Sequence, residues 1–324
     1  METGTYDCAA QHGRGGGFEI RGGGYRAEIA AAGAGLRLLD HEGPNGQRAL
    51  TETWALGSKP PLSAGLVLAP WPNRIRDGHF MFDGIEHQLE ITEPALGGNA
   101  SHGFVRRRNW SLVDHTYERV ELSVDVGLHK GWPYPLQLTV AYEVGADGLT
   151  VTHTATNKGA TSSPFGLGMH TFIRAGDFPL DECALHLAAG TRLPIDPARM
   201  LPNAYSQAVA GTDYDFRTPR LLAGGVQLDT PYSALDVVDG SGRTQHELLA
   251  PDGTGTALWT NREFPWIQAF IADPANDKGY PDRGRALALE PMTCPPDAFN
   301  SGIDLLVLHP GQTWTGSWGG IKAL

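Results

Sequence analysis

Apolar and polar residues alternate with a period of two in many short segments of the chain. They are Tyr25–Ile29, Leu36–Asp40, His79–Phe82, Ile85–Leu89, Glu121–Val126, Leu136–Val144, Leu149–Thr156, Ala286–Glu290 and Leu305–Leu308. This period sends successive side chains to opposite faces of an extended backbone, so each segment predicts a half-buried β-strand. Asp-Gly pairs supply the left-handed backbone that tight hairpins need, and Phe82-Asp83-Gly84-Ile85 and Asp147-Gly148-Leu149 are the clearest predicted hairpins. No stretch keeps a helical apolar stripe over a dozen residues, and 42 Gly with 23 Pro interrupt the chain too often for long helices. The pattern predicts an all-β protein, a mostly antiparallel two-sheet β-sandwich.

Neither a fixed-period repeat nor a low-complexity linker divides the 324 residues. Gly22-Gly23-Gly24 and Gly97-Gly98 are too short to be linkers and read as turns. All-β sandwiches commonly reach roughly 200 to 250 residues or more as one unit, so one domain over residues 18–324 is expected. Residues 1–17 are polar and Gly-rich with little to bury, and are expected to form a flexible tail.

Charge and cysteine content narrow the function. A net charge of -11 opposes broad attraction to nucleic acid or anionic lipid, so neither is expected as a partner. Cys8, Cys183 and Cys294 are odd in number, far apart and without CxxC spacing, which argues for a reducing compartment and against disulfides or a thiolate zinc site. The N-terminus lacks the apolar stretch of a signal peptide, and no run of about 18 apolar residues occurs, so a soluble cytoplasmic protein is expected. No P-loop, dinucleotide-binding glycine fingerprint or His-Glu-x-x-His helix is present, and no cofactor or metal is implied. Arg106-Arg107-Arg108 is the densest basic run and reads as a solvated surface turn.

Reactive side chains beside Gly, Pro or aromatic residues mark four places. Leu287-Ala288-Leu289-Glu290-Pro291 delivers a carboxylate from an apolar strand into a Pro-rich turn. Pro70-Trp71-Pro72 stiffens the backbone ahead of Asn73 and Arg74, whose fork can donate two hydrogen bonds to vicinal hydroxyls. Ser101-His102-Gly103-Phe104 and Gly168-Met169-His170-Thr171-Phe172 each carry an imidazole, which gives and takes protons near neutrality. Taken singly, each histidine is equally well a structural residue bonded to backbone. Trp71, Phe172 and Trp266 read either as stacking surfaces for a sugar ring or as core.

Together this set resembles the aldose 1-epimerases, the galactose mutarotase family. The likeness runs from about Tyr25 to Trp318. It rests on Asn73-Arg74 ahead of a Phe-x-x-Asp-Gly hairpin, on His102-Gly103 followed by Trp110, on His170 with Phe172, on Tyr214-Asp215-Phe216-Arg217 followed by Asp229, and on Glu290 with Pro296-Asp297-Ala298-Phe299-Asn300. Two positions depart from it: Phe104 stands where many members have a second glycine, and Thr230 stands where His usually follows the Asp. The resemblance implies a two-sheet sandwich with a sugar cleft and interconversion of α and β anomers of a free aldohexose. It further implies Glu290 as general base and His170 as general acid, with His102 assisting at the ring oxygen and Asn73, Arg74, Asp229 and Trp266 binding the sugar. His170 and Glu290 are then expected to face each other across a cavity with room for a hexose between them, and Arg106–Arg108 to point away from it. The rival readings are a hexose-phosphate 1-epimerase using those arginines, a glycosidase using Asp229 with Glu290, and a non-catalytic carbohydrate-binding protein. A small-molecule sugar is the expected partner, and monomer and homodimer stay equally open.

Overall fold

Leu136, Leu138, Val140, Tyr142 and Val144 are buried, while the residues between them are half-buried or exposed. The predicted alternation thus becomes the strand Leu136–Gly145, which turns through Ala146 and Asp147 into Gly148–Asn157 with Gly145 paired to Gly148. The computed structural model describes residues 17–43, 46–237 and 242–324. Of the expected tail, residues 1–16 lie outside the described residues, and Gly17 already belongs to the strand Gly17–Gly22.

These two strands sit in a nine-stranded antiparallel sheet. Beyond Gly148–Asn157 the sheet continues through Thr313–Ala323, Gly255–Asn261 and Arg243–Leu249. The second large sheet runs through Asp229–Leu235, Trp266–Ala272, Ala286–Met292, Gly168–Met169 and Val67–Leu68. A four-stranded meander, Gly17–Gly22 to Gly46–Ala49, packs against the first sheet. The expected all-β antiparallel sandwich is the observed architecture. The one α-helix among the described residues is the single turn Ala298–Ser301, and no helix there is long and apolar enough to cross a membrane.

Alternation in the second sheet separates core from cleft. Leu287, Leu289, Ile267, Ala269 and Ile271 join Leu138, Val140 and Tyr142 in the main core. Ala288, Glu290 and Met292, with Trp266, Gln268 and Phe270, occupy the alternate positions. Elements cover both faces of these strands, so Trp266–Ala272 reads as a nearly continuous apolar run in which the period of two is lost. Thr313–Ala323 is hidden for another reason: Gly316, Gly319 and Gly320 look like turn residues. Yet a Cβ on Gly320 would lie 2.0 Å from Cδ1 of Trp259, so that glycine lets the indole lie against the strand.

Candidate active site

Three adjacent strands present polar side chains at one place. Trp266–Ala272 pairs with Ala286–Met292 so that Gln268 stands opposite Glu290, and with Asp229–Leu235 so that Asp229 stands opposite Phe270. Gln268 Nε2 donates to Asp229 Oδ1 at 2.7 Å. Glu290 lies inside its strand, not in the turn after it, and is 2% exposed. Its Oε1 is 3.4 Å from His170 Nε2, and its buried Oε2 makes no hydrogen bond.

His170 is held by its backbone and by two rings. Its N–H donates to Leu66 O at 3.1 Å, and Gly65 N–H donates to its carbonyl at 2.7 Å. Phe172 stacks on the imidazole at 5.3 Å, and Phe270 meets it edge-on at 6.2 Å. Burial raises the Glu290 carboxyl well above the usual carboxylate range, reinforced by nearby Asp229 and opposed by Arg74. Burial also lowers His170 to about 3, so both shifts favour the uncharged forms. The pair touches along one wall and does not straddle a ring-sized gap, which corrects the expected geometry. The two oxygens of a hemiacetal share one carbon, so neighbouring groups on one wall suit them.

Asn73 and His102 both adopt left-handed backbone, with φ of 51° and 57°, and lock together. His102 N–H donates to Asn73 O at 2.8 Å, while Asn73 N–H donates to His102 Nδ1 at 3.2 Å. An Nδ1 that accepts leaves the ring proton on Nε2 as a donor. Burial, with Arg106 next among the causes, holds His102 well below its ordinary value and hence neutral. Gly103 is required here: its φ is 59°, and a Cβ would lie 1.9 Å from Ala69 O.

Arg74 gives its Nε to Glu93 Oε2 at 2.7 Å and Nη1 to Asn73 Oδ1 at 3.2 Å. The Pro-Asp-Ala-x-Asn run braces this segment from behind. Asp297 Oδ1 accepts from Arg76 N–H at 2.9 Å and from Asn300 Nδ2 at 2.7 Å, and Asp297 N–H donates to Arg74 O at 2.7 Å.

Glu290, His170, His102, Asn73, Arg74 and Asp229 therefore line one cleft of about 220 Å³. Trp266 does not. It lies one step further along the same face as Gln268, packs with Leu193 and Met292, and donates its Nε1 to Asp304 Oδ2 at 2.7 Å. Trp71 is likewise core, and Phe172 serves His170 as a backing ring. The arginine run also corrects its expectation. Val105–Arg107 is a 3₁₀ turn, in which successive side chains diverge by about 120°. Buried Val105 anchors the turn, Arg107 and Arg108 face solvent, and Arg106 enters the cleft wall.

Sequence reasoning missed Gln268, Glu93, Phe270, Ser63 and Lys278, which also line the cleft. Gln268 did carry a signal, as the one strongly polar residue in the apolar strand Trp266–Ala272. A second cleft of about 550 Å³ shares Asp229, Phe270 and Lys278 with the first. A surface groove of about 460 Å³ around Arg21, Arg26 and Glu118 contains none of these groups. Among the described residues no three His, Cys, Asp or Glu side chains are grouped to hold a metal ion. Cys183 and Cys294 are buried and unbridged.

Known proteins share this arrangement of chain and fold. The sequence profile of the aldose 1-epimerase family matches residues 18–318. The uncharacterized protein YihR of Escherichia coli is 30% identical over 96% of this chain and 93% of its own length. A maltose epimerase of Levilactobacillus brevis is 29% identical over 74% of this chain and 73% of its own. Among solved structures, a GalM/aldose epimerase homologue from C. elegans superposes with a TM-score of 0.81 at 22% identity, covering 94% of this chain and 97% of that one.

Proposed function

Because the chain belongs to the aldose 1-epimerase family and is an isomerase, we propose that its cleft interconverts the α and β anomers of an aldohexose, with Glu290 and His170 as the proton-transfer pair. The observation that carries this reading is the 3.4 Å contact of His170 Nε2 with Glu290 Oε1, beside a buried Glu290 Oε2 that makes no hydrogen bond. Anomerisation needs one proton taken from O1 and one given to the ring oxygen O5, both at C1. Glu290 Oε2 accepts the O1 proton, and His170 Nε2 donates to O5. The C1–O5 bond then breaks and C1–O1 becomes a carbonyl.

Proton number is conserved in the pair. Before ring opening the shared proton is on His170, and afterwards it is on Glu290. Burial favours neutral forms of both groups, so the site is biased toward the state that follows opening. After rotation about C1–C2, O5–H returns its proton to His170 and Glu290 returns one to O1. Each catalytic contact of this kind contributes about 10²- to 10⁴-fold. His102 Nε2–H, Asn73, Arg74 and the Gln268–Asp229 pair hold the remaining oxygens, which aligns the sugar before reaction. A cytoplasmic setting fits the unbridged Cys183 and Cys294.

Polarimetry on freshly dissolved α-D-glucose and α-D-galactose tests the assignment. In Glu290→Gln, kcat should fall by at least ~10²-fold with little change in sugar affinity. A folded Glu290→Gln protein with near-normal kcat would sink it. A non-catalytic binding module would show sugar binding without accelerated anomerisation in the wild type.

A further inference from the structure

The larger space beside the reactive pair is not the one that holds it. The cleft of Glu290 and His170, at about 220 Å³, is smaller than the roughly 300–1,000 Å³ usual for small-molecule sites. The second cleft, of about 550 Å³, adjoins it and has Asp229, Phe270 and Lys278 as a common border. Phe270 meets the His170 ring edge-on at 6.2 Å, so one aromatic ring separates the reactive pair from this second space.

Resting on the epimerase reading above, we propose that the two clefts together take a reducing disaccharide. The sugar with the free C1 lies against Glu290 and His170, and the second sugar, joined through O4 of the first, lies in the second cleft. Distances across the sheet give this order. Gln268 stands opposite Glu290 on the neighbouring strand, and its Nε2 reaches Asp229 Oδ1, one strand further on, at 2.7 Å. Strands lie about 4.8 Å apart, so roughly 10 Å of sheet separates Glu290 from Asp229, the reach of one hexose with a hydrogen bond at each end. C4 is the ring atom farthest from C1, so a hexose with C1 at Glu290 turns O4 toward Asp229, where the second cleft opens. A sugar ring has an apolar C–H face and a polar edge, and the second cleft meets both. Half-buried Tyr214 lines it, and the Arg192 guanidinium, 3.8 Å from the ring centroid, holds that aromatic ring in place. Asn276 and Lys278 add polar groups on its exposed side. Thr230 lines it too, at the position where the family pattern has His, and so short a side chain leaves open the space that an imidazole would take.

The test compares kcat/KM for D-glucose, maltose, cellobiose and isomaltose, followed by NMR anomer exchange. Maltose or cellobiose, both 1,4-linked, should exceed D-glucose by about 10-fold or more, mainly through KM, because the second ring adds contacts without touching C1. Ile195 lines the second cleft and not the first. Ile195→Trp should therefore fill that space, erase the gain and leave turnover of D-glucose near wild type. Should Ile195→Trp not fold, Thr230→His and the wild-type ranking make the same comparison. D-glucose turned over as well as both 1,4-linked sugars, a gain that survives in folded Ile195→Trp, or a gain with isomaltose alone overturns this inference and leaves the epimerase reading standing. Absence of anomerisation with all four sugars, and with D-galactose, overturns the epimerase reading beneath it.

Discussion

Glu290 and His170 show how one environment tunes two side chains in opposite senses. Both are buried at the same wall, and each is pushed toward its neutral form. The stability consequences have opposite signs. The raised Glu290 contributes stability that is complete below its ordinary value of 4.5 and is lost as pH rises through its folded value. Glu290→Gln removes that loss, so the variant should melt above wild type at pH 8 and converge with it near pH 4. Calorimetry at both pH values checks this, and an offset independent of pH would contradict it. The same substitution lowers kcat by at least ~10²-fold on the reading above, so function and stability pull apart at this residue.

At the scale of elements, the site is a strand face closed by two interlocked turns. The strand register places Glu290 opposite Gln268. The turns hold Asn73 and His102 through paired hydrogen bonds and left-handed backbone. Gly103 permits that lock, since a Cβ there would meet Ala69 O at 1.9 Å. Gly103→Ala should therefore displace His102, at a cost of at least about 1 kcal/mol from the left-handed backbone alone. An accompanying fall of about 10- to 100-fold in kcat/KM is expected, because small misplacements of positioning groups are expensive. Urea unfolding and polarimetry measure the two effects; wild-type values for both would refute the role given to Gly103.

Across the whole molecule, burial of ionisable groups extends beyond the cleft. His246 lies in Arg243–Leu249 with neither ring nitrogen hydrogen-bonded, and burial lowers it to about 3. A depressed histidine contributes stability that is present above its ordinary value of 6.5 and is lost as pH falls toward its folded value. His246→Leu should gain on wild type as pH falls from about 6.5 to 4, by up to about 1.4 kcal/mol per unit. Urea midpoints across that range test it, and parallel curves would show that His246 does not titrate on unfolding. Buried Glu52, raised by burial against the pull of Arg174 and Arg283, has the opposite pH dependence and is unaffected by this substitution.

The chain itself determined the all-β class, three neighbouring strands of the first sheet and the nature of the reactive groups. Half-buried strands alternate visibly, and Asp-Gly turns mark where the backbone reverses. Part of the cleft came from local signals too: Pro-stiffened Asn73-Arg74, His-Gly at His102, and a carboxylate in an apolar strand at Glu290. Tertiary structure decided what those signals leave open. Strands covered on both faces lose their alternation, so Trp266–Ala272 was not recognised and Gln268 went unassigned. Cross-strand register set which residues meet, bringing Glu290 against His170 while sending Trp266 past the cleft to Leu193 and Asp304. The 3₁₀ turn divided three consecutive arginines between solvent and cleft, because side-chain direction there depends on local winding and on the buried anchor Val105. Composition carries no information about either, and so the charge in the cleft wall was fixed only by the folded backbone.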